Sequence, residues 1–382
     1  MSELYDVLAD HVGPGRATGA VGLVARGGRT EVQAVGFTDA AGTTPMTRDS
    51  IFRIASLTKP VVAAAVMLLV EEGRFALEDP VAEWLPELAN PVVVRRPSGP
   101  ADDVVPASRP ITVFDLLTFR AGYGFPSDFE VPAVELLFSE LDMAPLQPQV
   151  AAPPDEWMAK LSRVPLLHQP GEGWLYHVCS DIQGVLVARA SGTPLQDFLA
   201  ERLFEPLGMV DTGFAVPAGE LHRFTSFYRQ GVDGTELADP PEGEWSRLPA
   251  FPSGGGGLVS TVDDWHSFAR MLLAEGVAEG EAGGRRVLSP ESVRQMTTDH
   301  LTGAQRSLFL EGQGWGFGGS VDVERTDPWN VPGRYGWVGG TGTAGHIVPS
   351  TGDVTILFTQ FQMTGPTTPE PMRDFWRYAA GA

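Results

Sequence analysis

Ser56-Leu57-Thr58-Lys59 places a hydroxyl and an amine three residues apart, on one face of a first helical turn. A serine is a weak nucleophile until a neighbouring base takes its proton. An amine can be that base only when neutral, and a free lysine is about 0.04% neutral at pH 7. Burial near a helix N-terminus must lower its pKa by about three pH units, an effect of roughly 4 kcal/mol. The run from Val61 to Val70 is apolar on all sides of a helix and supplies that burial. Arginine cannot deprotonate at working pH, so a base at this position has to be lysine. Only Lys59 and Lys160 are lysines among the 27 basic residues, so a lysine on an apolar helix is poorly explained as surface charge. Lys160, by contrast, reads as ordinary charge on an exposed helix. The backbone N–H of Ser56, at the helix start, can also face a developing oxyanion.

Two further stretches carry candidate chemistry. Tyr176-His177-Val178-Cys179-Ser180-Asp181 follows the turn Gln169-Pro170-Gly171-Glu172-Gly173 and opens a helix. A phenol beside a Ser/Lys pair can relay protons between nucleophile and leaving group, although a tyrosine at a helix start more often packs. His177 and Cys179, two residues apart, point away from each other, so Cys179 reads as a small buried cysteine. Trp337-Val338-Gly339-Gly340-Thr341-Gly342-Thr343 is the second stretch. Its glycines let a backbone approach a substrate closely, and one of its N–H groups can complete an oxyanion hole. Gly340, Gly342 and Gly345 also spell a dinucleotide fingerprint, but a strand follows them where a helix is required.

Several reaction classes lose their entry points. Neither lysine sits in a phosphate-binding glycine loop, and Gly-x-Ser-x-Gly, His-x-His and His-x-x-x-His are absent. One cysteine excludes an internal disulfide framework and a multi-cysteine zinc site, so no cofactor and no metal are expected. The net charge of −21 argues against a nucleic-acid partner. The acidic, mixed N-terminus does not read as a signal peptide, and no 18-residue apolar stretch exists to span a membrane. A soluble, cytoplasmic protein without a membrane partner is the expectation.

The elements that must position these residues are legible in outline. Residues 19–27 and 30–37 read as a strand hairpin about Gly27-Gly28. Pro60 belongs near a helix start, so the apolar helix should open around Ser56. Residues 86–111 and 144–155 read as long loops. Helices are expected over Val113–Phe119, Pro132–Leu141, Asp155–Leu161, Ser180–Ala190 and Leu195–Leu203. Strands return at Gly257–Ser260, Gly316–Val323, His346–Pro349 and Val354–Gln360, with helices over Asp264–Ala274 and Met372–Ala379. The pattern predicts an α+β fold, an antiparallel β-sheet flanked by helices with an inserted all-α lobe. Residues 1–80 and 225–382 are expected to build the sheet domain and 81–224 the helical lobe, with the active site at their boundary. The Phe119–Phe125 loop, with Tyr123 and Phe125 as substrate-binding candidates, and Ser253–Gly257 should wall the pocket.

Taken in order, FRIASLTKPVVAAAVMLLVEEGR, RPITVFDLLTFRAGYG, PLLHQPGEGWLYHVCSDIQGVLVARASG, EPLGMVDTGF, FPSGGGGLVSTVDDW, GWGFG and GRYGWVGGTGT span nearly the whole chain. Together they resemble the serine β-lactamase superfamily, in particular the class C β-lactamase-like esterases called family VIII carboxylesterases. The resemblance implies the serine β-lactamase and penicillin-binding-protein fold, with Ser56 acylated, Lys59 as general base and Tyr176 sharing proton transfer. It implies the backbone N–H groups of Ser56 and Gly340 as oxyanion donors, with Trp337 and Gly339 lining the substrate site. Two departures set this chain apart from lactamases. Val178 stands where the family's Tyr-x-Asn motif has its amide, and Trp337 replaces the cation of Lys-Thr-Gly. Both disfavour β-lactams and favour small neutral esters. The expected function is therefore a serine hydrolase of small carboxylic esters. An acyltransferase using the same acyl-enzyme, a weak β-lactamase and an inactive binding module are the alternatives.

Overall fold

The computed structural model describes every residue except 1, 127–129, 143–146, 233, 279–283, 307–309, 311, 366 and 382. A seven-stranded antiparallel sheet forms the frame. Two strands come from the N-terminal part, β1 (Gly19–Arg26) and β2 (Arg29–Gly36). Five come from the C-terminal part: β3 (Gln313–Trp315), β4 (Ser320–Asp322), β5 (Tyr335–Gly339), β6 (Thr343–Val348) and β7 (Asp353–Thr359). Their order across the sheet is β3-β4-β5-β6-β7-β1-β2. β1 is an interior strand, paired on both sides and covered on both faces, which is why GAVGLVAR runs apolar without alternation.

Helices cover both faces. On the outer face α1 (Glu3–Ala9) packs against the C-terminal helix, which spans Glu370–Ala379. Leu4, Leu8, Ala20, Val24, Leu357, Phe375 and Trp376 close that layer. The inner face meets the helix Val262–Leu273, which packs on β1, β6 and β7, and in α2 (Thr58–Glu71) every residue from Thr58 to Leu69 is buried. Such all-round burial is the signature of a central helix, as the apolar run predicts. Residues between 113 and 207 are largely helical: α3 (Val113–Leu117), then Pro132–Glu140, Pro154–Leu161, α4 (Cys179–Ser191) and Leu195–Leu199. α4 lies along α2 and ends at Gly192, whose left-handed φ of 73° lets the chain leave the helix.

Local departures from the expected elements have physical causes. Residues 86–111 carry a short hairpin, Val92–Val94 with Val104–Pro106, inside what reads as loop. Gly316–Val323 is not one strand, because Gly316–Gly319 turns the chain between β3 and β4. Gly318 has φ +77°, and a Cβ there would meet the Lys59 carbonyl oxygen at 2.5 Å, so only glycine fits this approach to α2. Among the described residues no helix is long and apolar enough to cross a membrane.

Candidate active site

A single 3-10 turn, Ala55–Leu57, leads into α2 and presents Ser56. Ala55 takes a left-handed φ of 44°, a conformation disfavoured for a residue with a Cβ, and this bend leaves Ser56 partly open between buried neighbours. The Thr58 hydroxyl locks the bend by donating to the Ala55 carbonyl at 2.7 Å and accepting from Leu258 N–H at 3.1 Å.

One turn on, Lys59 is completely buried. Its Nζ lies 2.7 Å from Ser56 Oγ and also donates to the Gly255 carbonyl. Burial pushes the amine down to about 7, against the pull of the nearby Asp181 carboxylate, which favours the charged form. The amine also sits 4.8 Å from the centre of the Tyr176 ring.

Tyr176 is held by a two-way backbone pairing with Phe125, at 2.6 and 3.1 Å. Its phenol donates to Ser56 Oγ at 2.9 Å and accepts from Trp337 Nε1–H at 2.6 Å. Burial pushes this phenol up to about 12, so it carries its proton at neutral pH. Ser56 Oγ therefore lies between an amine that can be neutral and a phenol that stays protonated.

The glycine-rich stretch supplies β5 and the turn after it. Gly339 sits where a Cβ would fall 2.5 Å from the Ile54 carbonyl oxygen, so the strand passes close beside the turn that carries Ser56. Thr341 and Thr343 stitch the two together, their hydroxyls donating to the carbonyls of Arg53 and Ile54 at 2.5 and 3.0 Å. Gly340 is exposed, and among the described residues neither its N–H nor that of Ser56 has an acceptor. Trp337 packs edge to face on Trp315 at 4.8 Å and beside Tyr176 at 5.7 Å. Phe119 and Trp174 extend this aromatic wall against Trp315 and Tyr176.

The remaining sequence candidates divide. Phe125 packs edge-on against Tyr176 at 5.8 Å and against His177 at 5.4 Å, so it belongs to the cluster. Tyr123, two residues earlier, is a core side chain only 2% exposed, so the expectation of substrate contact there meets a buried ring. Val178 is likewise wholly buried. Cys179 is buried and its thiol is pushed up to about 12, which keeps it protonated. His177 is held down to about 3 by burial and by Lys59. Among the described residues no group of three or more His, Cys, Asp or Glu is arranged to hold a metal ion.

Sequence reasoning missed Asp181 and underused Ser253 and Gly255. Asp181 Oδ1 accepts from Ser253 Oγ–H at 2.6 Å and from Gly255 N–H at 3.0 Å. An acidic residue in a first helical turn ordinarily answers the helix dipole, so nothing in the local pattern marks it. Trp315 and Trp174 carry no sequence signal either, because composition alone does not say which rings meet.

The chain is similar in sequence and fold to known proteins. A family model described as Beta-lactamase matches residues 6–376. An uncharacterized protein of Mycobacterium tuberculosis is 38% identical over 359 residues, covering 90% of this chain and 86% of its own length. Esterase EstB of Burkholderia gladioli is 32% identical over 322 residues, covering 79% of this chain and 74% of its own. Among solved structures, EstCE1, a hydrolase with promiscuous acyltransferase activity, shares the fold with a TM-score of 0.78 at 23% identity, covering 99% of this chain and 97% of its own. Matched by the family model over nearly its whole length and by an esterase relative at 32% identity, the chain belongs to the Beta-lactamase family, as a serine hydrolase of the serine β-lactamase and penicillin-binding-protein fold.

Proposed function

We propose that this serine hydrolase cleaves small, neutral carboxylic esters through an acyl-enzyme on Ser56. The observation that carries the reading is the meeting of three groups at one oxygen: Ser56 Oγ is 2.7 Å from Lys59 Nζ and 2.9 Å from the Tyr176 hydroxyl. Neutral Lys59 takes the Ser56 proton as Oγ attacks the ester carbonyl. The tetrahedral oxyanion is held by the N–H groups of Ser56 and Gly340, each worth roughly 10²–10³ in rate. As the C–O bond breaks, the alcohol leaves with a proton delivered from Lys59 through the Tyr176 hydroxyl. Water then enters, loses a proton to the same pair, and releases the acid from Ser56. Trp337 orients the Tyr176 phenol through its indole N–H and lines the site with an uncharged ring.

The ester class rests on what surrounds the nucleophile. The cation beside Ser56 and Tyr176 is Lys59, and the ring that meets Tyr176 from β5 is the uncharged Trp337, which favours a neutral substrate. Val178 offers no amide. The esterase relative points the same way. A panel of p-nitrophenyl esters from acetate to decanoate, run beside nitrocefin, tests this. Turnover of short neutral esters is expected, with little or none of nitrocefin; the reverse order refutes the ester reading.

Acyl transfer to an alcohol is a second reading, favoured by the uncharged Trp337 ring beside Tyr176, backed by the buried Trp315, Trp174 and Phe119, which disfavours water on that side of Ser56. Measuring how one donor ester partitions between water and added alcohols separates the two. Dominant formation of the new ester identifies transfer, and release of free acid alone identifies hydrolysis.

A further inference from the structure

A base that must be both neutral and aimed needs a fixed acceptor for its other N–H groups. In this site that acceptor is a backbone carbonyl in a run of four glycines, Gly254 to Gly257, which has little conformational preference of its own. What fixes it comes from another element. Asp181, in the first turn of α4, is 6% exposed. Its Oδ1 accepts from Ser253 Oγ–H at 2.6 Å and from Gly255 N–H at 3.0 Å. Ser253 Oγ in turn accepts from the N–H groups of Gly255 and Gly256 at 3.2 and 3.1 Å. The other face of the same residue, the Gly255 carbonyl, accepts from Lys59 Nζ. There is no slack in this packing: a Cβ on Gly255 would lie 2.9 Å from Asp181 Oδ2, and one on Gly254 would lie 2.3 Å from the Ser180 carbonyl oxygen.

We infer that Asp181 is the positioning residue for the general base: by clamping Ser253 and Gly255 it holds the Gly255 carbonyl that aims Lys59 at Ser56. The inference rests on the ester-hydrolase reading and adds a residue to it. Both contacts are donated to Oδ1, a place an amide oxygen could also fill, so what the carboxylate alone brings is charge. Its charge has a second consequence. The titratable groups that face Asp181 are Lys59 on α2, His177 ahead of α4 and Cys179 on α4. His177 Nδ1 is 3.8 Å from Asp181 Oδ2, beyond hydrogen-bond reach, and the ring is neutral. Lys59 is therefore the one facing group whose charge changes near neutral pH. Burial pushes the Asp181 carboxyl up, while the hydrogen bonds from Ser253 and Gly255 and the Lys59 amine favour its ionised form; in that form it limits how far burial depresses the amine.

The test is the pH dependence of kcat/KM and kcat for p-nitrophenyl butyrate in Asp181→Asn, Asp181→Ala and Ser253→Ala, beside the wild type. Asp181→Asn removes the charge and keeps an acceptor, so its acid limb should move to lower pH by about one unit. Asp181→Ala removes the clamp as well and should lower kcat about tenfold or more, with the limb moved the same way. Ser253→Ala weakens the clamp without changing charge, so kcat should fall with the limb unmoved; it supplies the kcat result if Asp181→Ala does not fold. An unmoved acid limb in Asp181→Asn, or an unchanged kcat in the clamp variants, overturns the inference while wild-type turnover leaves the ester-hydrolase reading standing. Absence of wild-type ester turnover refutes the underlying reading instead.

Discussion

Taking the wild-type enzyme from about pH 5 to about pH 9 perturbs one group above all others in the site, the Lys59 amine. Its ordinary value of 10.5 is pushed down to about 7 because the side chain has no exposure, against the opposing pull of Asp181. At about 1.4 kcal/mol per pH unit, that change is roughly 5 kcal/mol of lost preference for the charged form. The base is then about half neutral at pH 7, roughly a thousandfold more than a free lysine. kcat/KM should rise about tenfold per unit from pH 5 to 6, bend near 7 and flatten above about 8. Tyr176, pushed up to about 12, stays protonated throughout, so no basic limb is expected below about 10. Initial rates with p-nitrophenyl butyrate, followed at the isosbestic wavelength of p-nitrophenol, give the profile. Lys59→Arg retains the charge and loses the titratable amine; it should fall by about 10²–10⁴ and show no bend near 7. A wild-type bend near 10, or a Lys59→Arg variant with the wild-type profile, would refute the reasoning.

Three other outcomes follow from the same geometry. The buried amine costs stability, because its folded pKa lies below its unfolded one: between about pH 7 and 10.5 the unfolded chain binds the extra proton, so folding strengthens as pH rises. Lys59→Met should therefore be inactive yet more resistant to urea at pH 7, and its advantage should shrink by about 1.4 kcal/mol per pH unit above that; a variant less stable than wild type contradicts this. Trp337→Phe keeps the ring and removes the N–H that holds the Tyr176 hydroxyl, so kcat should fall about tenfold with KM nearly unchanged, and a change confined to KM would assign Trp337 to binding alone. Val178→Asn puts an amide into a position without exposure, so about 1–3 kcal/mol of stability should be lost in urea titration; an unchanged midpoint would show that the amide finds partners there.

The parts of the site that sequence revealed are those whose chemistry constrains residue type. A serine and lysine one helical turn apart, followed by an unbroken apolar run, specify both the pair and the burial that activates it. The hairpin of β1 and β2 was legible because two glycines separate two β-rich runs, and Gly27 and Gly28 indeed take positive φ. Other features were hidden for identifiable reasons. α1 shows only Leu4 and Leu8 as an apolar stripe, too short a run to establish a period. β5 lies under a glycine-rich sequence in which Gly336 and Gly339 erase the alternation a strand normally shows. Tyr123 and Phe125 look equivalent as neighbours in a Gly-aromatic loop, but only Phe125 pairs with the Tyr176 backbone while Tyr123 turns into the core. Asp181 was obscure because its partners, Ser253 and Gly255, are more than 70 residues away and carry no charge pattern that points back to it.

The central claim is a covalent one, that Ser56 is acylated with Lys59 and Tyr176 moving its proton. Intact-protein mass spectrometry after brief mixing with a fluorophosphonate or an activated ester tests it most directly. The wild type should gain one adduct, mapped by peptide digestion to Ser56, and Ser56→Ala should gain none and lose ester turnover. An adduct on any other residue, or persistent turnover by Ser56→Ala, would contradict it.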